Sequence, residues 1–265
     1  MNRSTVRSAA ESQYEVKMSK ALQGKVAIIT GAASGIGEAV SRLFHENGAK
    51  LVLADVSVNV IEIAEELGEH AVAFTGDVSN SVDTVKMIEL AVSTFGALDI
   101  LCNIAGIPGE RGSLVECSDE NFERLIGVNL RAPFLAMKSA IPYMIARGGG
   151  AIVNVASTAA LKGYPSAVVY GASKAGVVSL TRGAAIEYAK HNIRINAVCP
   201  GPIETPMYQA AVEGRPEAAE RIVSGVPMGR LGKPMEIASV VLFFASSSSS
   251  FVTGAVLPVE GGQVA

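Results

Sequence analysis

A chain of 265 residues, 49% hydrophobic and 18% charged, can bury a sizeable core as one large domain or two small ones, which excludes a disordered polypeptide. Its formal net charge of −3 gives no basic footprint for nucleic acid or an anionic membrane surface. No apolar run reaches bilayer length, and Cys102, Cys117 and Cys199 lack metal-ligand spacing, so buried free thiols in a reducing compartment are expected.

Residues 1–20 are polar, carry Arg3 and Arg7, and lack the apolar segment of a secretory signal. They read as a flexible extension of a cytoplasmic protein. From Lys25 onward, short β-branched runs alternate with longer amphipathic ones. Lys25–Thr30 is a continuous apolar run suited to a strand buried on both faces. A glycine-rich turn follows, and Ile36, Ala39, Val40, Leu43 and Phe44 recur at helical spacing up to Asn47-Gly48. Further strands are expected at 50–55, 71–75, 99–103, 151–156, 193–198 and 255–259. Helices are expected at 58–67, 81–95, 119–146 (with Pro133 and Pro142 as irregularities) and from around Tyr170 to about Lys190. This alternation predicts one α/β domain over residues 21–265, a Rossmann-like doubly wound parallel sheet of about seven strands with helices on both faces. Residues 202–233 break the pattern and read as a helical substrate flap, and Ser246–Ser250 as a helix end and loop.

Directly after the first strand stands Thr30-Gly31-Ala32-Ala33-Ser34-Gly35-Ile36-Gly37. Glycines in such a turn allow the close backbone approach of a pyrophosphate, and the helix N-terminus adds free N–H groups and partial positive charge. Asp55 falls at the carboxyl end of the second strand, where a carboxylate accepts hydrogen bonds from the adenosine ribose and repels a 2′-phosphate. With no basic residue at Ser34 or Val56 to offset it, NAD is expected over NADP. An Asp capping the following helix is the ordinary alternative for Asp55. Asp77-Val78, ending the third strand, stands where it meets the adenine edge, or caps a helix.

Tyr170 and Lys174 stand at i and i+4 and share a helix face. An ammonium beside a phenol stabilises the phenolate and makes a general acid/base able to work near neutral pH. Ser157 is placed to bond the same substrate oxygen if the fold brings it round. His45, His70 and His191 read as surface or helix-end residues, and no metal cluster is visible.

Over Gly24–Gly262 the sequence resembles the compact type of short-chain dehydrogenase/reductase. Thr30-Gly31-x-x-x-Gly35-x-Gly37 is similar to that family's glycine motif, Asn103-Ile104-Ala105-Gly106 to its Asn-Asn-Ala-Gly element, and Pro200-Gly201 to the element closing over the nicotinamide. Asn129, Ser157, Tyr170 and Lys174 match its catalytic tetrad. Ile104 departs from the second Asn of the family element, and Ala156 stands where many members carry an extra serine. The resemblance implies a cofactor site of Gly31, Ser34, Gly35, Ile36, Gly37, Asp55, Asp77, Val78, Asn103, Ala105, Gly106, Tyr170, Lys174, Pro200, Gly201, Ile203 and Thr205. It further implies that Asn129 positions a water leading from Lys174 to solvent, and that the last two cofactor residues bind the carboxamide. The implied activity interconverts a secondary alcohol and a ketone. An apolar pocket lined by Ile107 to Arg111, Thr158 to Tyr164 and the flap around Met207, Tyr208 and Met228, with Tyr164, Tyr208, Arg111 and Lys162 as polar handles, suits a cyclic, terpenoid or steroidal substrate or a small polyol. A 3-oxoacyl-thioester reductase is the alternative, and a non-catalytic NAD sensor the remote one. Relatives commonly pair through the Tyr170 helix and the last strand, so a homotetramer is expected, with Val177, Val178, Leu180 and Ala184 as candidate contacts.

Overall fold

The computed structural model describes residues 20–265; the extension expected over residues 1–20 lies, but for Lys20, outside them. Seven parallel strands form one sheet in the order β3-β2-β1-β4-β5-β6-β7. They are β1 (Val26–Thr30), β2 (Lys50–Asp55), β3 (Ala71–Thr75), β4 (Ile100–Asn103), β5 (Gly150–Val155), β6 (Ile193–Pro200) and β7 (Val256–Val259). All five residues of β1 are buried, because helices cover both sheet faces and leave no polar side for the strand to show.

Helices α1 (Gly35–Glu46), α2 (Asn59–Leu67) and α9 (Pro234–Ala245) share one core with the sheet, centred on Phe44, Leu51, Leu53 and Phe244. On the other face, α3 (Ser81–Phe95), α5 (Ala132–Arg147) and α6 (Val168–Tyr188) pack around Met87, Ile88, Leu101 and Met144. The chain crosses from one side of β1 to the other on going to β4, so the strand order reverses there. A crevice at the carboxyl ends of the strands follows from that reversal.

Three segments differ from the periodicity. The single helix expected over 119–146 is divided into α4 (Asp119–Ile126), a π-helical turn (Gly127–Arg131) and α5. Pro133 sits harmlessly in the first turn of α5, and Pro142 inside it, so the proline positions do not set the break. The flap contains α7 (Pro206–Val212) and α8 (Pro216–Ser224). Its two ends are tied together where Glu204 N donates to Gly232 O (2.9 Å) and Gly232 N to Pro202 O (3.0 Å). The serine run ends α9, whose carboxyl end is held by Arg194, donating to Phe244 O (2.8 Å), Ser246 O (3.0 Å) and Ser249 Oγ (2.7 Å).

Candidate active site

The glycine turn lies at the carboxyl end of β1. Gly31 has φ +70°, and a Cβ there would fall 2.9 Å from Ala105 Cα; at Gly37 it would fall 1.9 Å from Gly31 O. No larger residue fits either position, so the turn is packed backbone against backbone with the 104–106 segment. Thr30 clamps the two together, its Oγ1 accepting from Ile104 N (3.0 Å) and Ala105 N (3.1 Å). Ser34 is the exposed N-cap of α1, and its hydroxyl makes no capping bond. That hydroxyl and the N–H groups of the first helical turn, Ile36 included, form a donor set suited to a phosphate.

Asp55 accepts from Ala33 N (3.0 Å) through Oδ2 and from Ser57 N (2.9 Å) through Oδ1. One carboxylate thus ties the glycine turn to the end of β2. Each oxygen is used once and keeps a lone pair for a ribose hydroxyl. The N-cap of α2 is Val58, with no side-chain bond. At the end of β3, Asp77 accepts from Ser79 N (2.8 Å) and Ser79 Oγ (2.7 Å), while Val78 is buried. The cap of α3 is Asn80, which takes the N–H of Val82 at 2.8 Å. The residues present therefore fit a dinucleotide, with Asp55 in reach of its adenosine ribose.

Across the switch point the floor of the site is made of buried polar side chains. Asn103 donates to Asn154 Oδ1 (2.8 Å), and Asn154 donates to Thr181 Oγ1 (2.9 Å), linking β4, β5 and α6. Lys174, 4% exposed, donates to Val155 O (3.0 Å), and burial lowers its pKa to about 8. Asn129 sits in the π-turn, fully buried. It accepts from Ile107 N (2.8 Å) and donates to Ile107 O (3.0 Å) and Ser173 Oγ (3.2 Å). Its side chain is thereby committed to protein partners. A π-turn disturbs the regular i→i−4 ladder, so the main chain there, rather than the amide, is the element available to a water. Gly106 lies where these groups converge: a Cβ would stand 3.2 Å from both Lys174 Nζ and Asn129 Oδ1.

The phenol of Tyr170 is half-buried near the start of α6. Burial pushes its pKa up; the Ser157 hydroxyl, a hydrogen-bonding neighbour, pulls hardest the other way, and the Arg111 charge pulls next. This modifies the expectation from the i, i+4 spacing, because the Lys174 ammonium is bonded to the Val155 carbonyl. Ser157 comes round at the end of β5, its Oγ accepting from Ala159 N (3.1 Å). Beneath it Cys199 is buried, and desolvation raises the thiol pKa. Cys102 is buried too, whereas Cys117 is only half-buried, on the loop before α4.

On the far side, Pro200 ends β6, Gly201 accepts no larger residue (a Cβ would lie 2.7 Å from Glu260 Cβ), and Ile203 is buried. Thr205 caps α7, accepting from Tyr208 N (3.3 Å), and its methyl lies 3.2 Å from where a Gly35 Cβ would be. The start of the flap thus sits over the glycine turn.

This combination is a phosphate-binding turn, a ribose-competent carboxylate, and a serine, tyrosine and buried lysine around one cleft. The profile of a family described as "Enoyl-(Acyl carrier protein) reductase" matches residues 31–263. The chain belongs to the short-chain dehydrogenase/reductase family. It is 43% identical to a cyclohexanol dehydrogenase of Acinetobacter sp., covering 92% of this chain and 96% of that one. It is 40% identical to a cis-4-hydroxycyclohexanecarboxylate dehydrogenase of Sinomonas cyclohexanicum, covering 94% and 100%. Among solved structures, a 3-ketoacyl-(acyl-carrier-protein) reductase from Brucella melitensis complexed with NADH superposes with a TM-score of 0.87 at 38% identity, covering 92% and 100%. As in that family, the chain is an oxidoreductase fold for a nicotinamide cofactor. No helix among the described residues is long and apolar enough to cross a membrane.

Of the expected substrate lining, Glu110 and Arg111 border one cavity, and the rest lies apart from it. A cavity of about 270 Å³ opens beside Tyr170, lined by Arg111, Leu114, Cys117, Leu125 and Val168 among others. Ile107, Thr158, Tyr164, Met207 and Tyr208 do not line it. Ile107 is tied to Asn129, while Met207 and Tyr208 stand on α7 of the flap. Thr158 is buried, and Tyr164 Oη donates to Gln263 Oε1 (2.9 Å) and bonds Thr158 Oγ1 (3.1 Å). Lys162 Nζ also donates to Gln263 O (2.7 Å), so the carboxyl-terminal segment fastens the loop that follows Ser157. Thr30, Asn154, Thr181 and Gln263 were not singled out as site residues from the sequence. Only Thr30 carries a signal, its place at the head of the glycine motif.

Proposed function

We propose that this protein is an NAD-dependent dehydrogenase/reductase that interconverts a small secondary alcohol and its ketone, with Tyr170 as general acid/base. The observation that carries the reading is the meeting of Ser157, Tyr170, Lys174 and Asn129 where the carboxyl ends of β4 and β5 face the amino end of α6, opposite the Asp55-tethered glycine turn. NAD would be held by Gly31, Ser34, Gly35, Ile36 and Gly37 at its phosphates and by Asp55 at the adenosine ribose. Asp77 and Val78 would flank the adenine, Asn103, Ala105 and Gly106 the central part, and Pro200, Gly201, Ile203 and Thr205 the nicotinamide end. Bound NAD supplies the hydride acceptor.

In the oxidative direction, Ser157 holds the substrate hydroxyl by a hydrogen bond and Tyr170 takes its proton. Lys174 orients the nicotinamide ribose, and its ammonium, easily deprotonated at a pKa of about 8, passes the proton onward near the main chain of the Asn129 turn. In the reductive direction Tyr170 returns the proton to the carbonyl oxygen. Ile107, Thr158, Tyr164, Met207 and Tyr208 form the outer wall in this reading, and the cavity beside Tyr170 the inner one. Its roughly 270 Å³ lies at the small end for ligand sites and favours a monocyclic or short-chain substrate over a terpenoid or steroid. The similarity to a cyclohexanol dehydrogenase supports the same size class.

A second reading, reduction of a 3-oxoacyl thioester, is supported by the Brucella melitensis reductase and by the family description. Steady-state turnover with NAD and NADP across cyclohexanols, short hydroxy acids, steroids and 3-hydroxyacyl thioesters separates the two. Preferred turnover of small alcohols with NAD is expected; preference for NADP and thioesters would replace the proposal with the second reading. Asp55→Ala should lower the NAD preference by about tenfold, as loss of one charge-assisted hydrogen bond predicts.

The proposal extends to assembly as a homotetramer acting in the cytoplasm, where reducing conditions suit three unpaired thiols. A groove of about 1110 Å³ between α5 and α6, lined by Phe134, Met137, Ile141, Leu180 and Ala184, supports pairing of that face. Val177 and Val178 are buried in the chain's own core and are not part of it.

A further inference from the structure

We infer that Arg111 is a specificity-determining residue that receives the carboxylate of a small hydroxy acid or oxo acid whose alcohol or carbonyl carbon lies against Tyr170. The inference rests on the reading of Tyr170 as the acid/base of an alcohol dehydrogenase and names the substrate class for it.

The cavity brings together Tyr170, apolar side chains including Leu125 and Val168, neutral polar ones including Ser113 and Asn121, and the cation Arg111. Its volume of about 270 Å³ suits one ring or a short chain, not a fused-ring skeleton. Two carboxylates also line it, and both have partners. Glu110 faces Arg124 at 3.6 Å. Glu116 accepts from Ser113 N (2.9 Å) and Ser113 Oγ (2.6 Å), which lowers its pKa. Arg111, by contrast, makes no ion pair and no side-chain hydrogen bond among the described residues. Its donor fork is free.

The position of that fork is set by its neighbour. Glu110 N donates to Asn121 Oδ1 (3.0 Å), and Asn121 is buried at the base of α4, so the loop is pinned one residue before Arg111. The Arg111 charge is felt at the Tyr170 phenol, and both residues line the same cavity, so a substrate held by one lies within reach of the other. A guanidinium takes a planar carboxylate through two parallel N–H···O bonds, which fixes orientation as well as charge. Arg111 is itself exposed at the mouth, so its partner keeps part of its hydration and the desolvation cost stays modest. A neutral alcohol offers this fork nothing. The carboxylate takes no part in the redox step; it aligns the carbon that loses hydride to NAD while its hydroxyl proton passes to Tyr170.

The test compares 4-hydroxycyclohexanecarboxylate with its carboxamide, using NAD and the wild-type, Arg111→Gln and Arg111→Lys enzymes. Wild type is expected to favour the carboxylate in kcat/KM by about 30-fold or more, the range for hydrogen bonds to a charged group. Arg111→Gln should shrink the ratio to below about threefold, chiefly through KM for the carboxylate, and Arg111→Lys should restore part of it. Calorimetric binding of cyclohexanecarboxylate to the NADH complex gives an arm independent of turnover, expected to weaken by the same factor in Arg111→Gln. An unchanged ratio and unchanged binding in a folded Arg111→Gln enzyme would overturn the assignment while leaving the dehydrogenase reading intact. Absence of Tyr170-dependent turnover of any alcohol, neutral ones included, would overturn both.

Discussion

At the floor of the cleft, where β4, β5 and α6 meet, polar side chains are buried and bonded to one another: Asn103 to Asn154, Asn154 to Thr181, Asn129 to Ile107 and Ser173, Lys174 to Val155. At the rim, Val115 is 93% exposed, Met228 69% and Leu114 63%, and the segments are held by a few bonds at their ends. The two regions answer different demands. Among the described residues no buried side-chain nitrogen or oxygen lacks a partner, and in a low-dielectric floor a missing partner is costly. That fixes the reacting groups to one geometry. The rim pays no such penalty for change, so side chains there can set which alcohol enters without disturbing the chemistry.

Substitutions that cut into each region test this contrast. The largest effect is expected at Asn129→Ala, which unpairs the N–H and carbonyl of Ile107 and removes the donor to the Ser173 hydroxyl, which keeps its bond to Tyr170 O. A loss of about 3 kcal/mol follows from unsatisfied buried groups at 1–3 kcal/mol each. Chemical denaturation should report it, together with a kcat lower by about 100-fold.

Lys174→Met probes the same floor with the opposite sign. A buried lysine whose pKa falls to about 8 disfavours the folded state wherever the unfolded chain would hold its proton. That penalty is full below pH 8, declines as pH rises, and vanishes above the ordinary lysine value of 10.5. The methionine variant should therefore lose about 3 kcal/mol of its stability relative to wild type between pH 7 and pH 10.5, on the linkage of 1.36 kcal/mol per unit. Melting curves across that range check it. A pH-independent difference would mean that the ammonium is stabilised by more than the Val155 carbonyl.

The smallest effect belongs to the rim. Gln263→Ala removes the tie between the tail and Tyr164, at a partly exposed position worth about 1 kcal/mol. KM should rise two- to fivefold with kcat within twofold; a large fall in kcat would show that the tail holds Ser157 itself in place.

The sequence reveals what has a period or a motif. Buried parallel strands such as Val26–Thr30 are continuous apolar runs, and their alternation with helices fixes the doubly wound sheet. The glycine turn, Asp55 and Tyr170–Lys174 announce themselves by residue type and spacing. What escapes has neither. Helix α9 carries Met235 and Phe243 on its outer face as well as Ile237, Val241 and Phe244 within, so no polar stripe marks it. The π-turn at Gly127–Arg131 changes hydrogen-bond register without changing composition. Asn154 and Thr181 are single polar residues inside apolar elements, and their partnership depends on the packing of β5 against α6. The walls that face Arg111 (Asn121 and Leu125 of α4, and the start of α6) come together only through the fold.

The most direct measurement of the central claim is Tyr170→Phe, assayed for NADH binding by fluorescence and for alcohol oxidation in the same preparation. The substitution removes one hydroxyl from a half-buried ring, so binding should stay within about threefold of wild type. Turnover should fall by at least 100-fold, the lower end for loss of a general acid/base. Near-normal oxidation by Tyr170→Phe with intact NADH binding would contradict the account and place the proton transfer on another group.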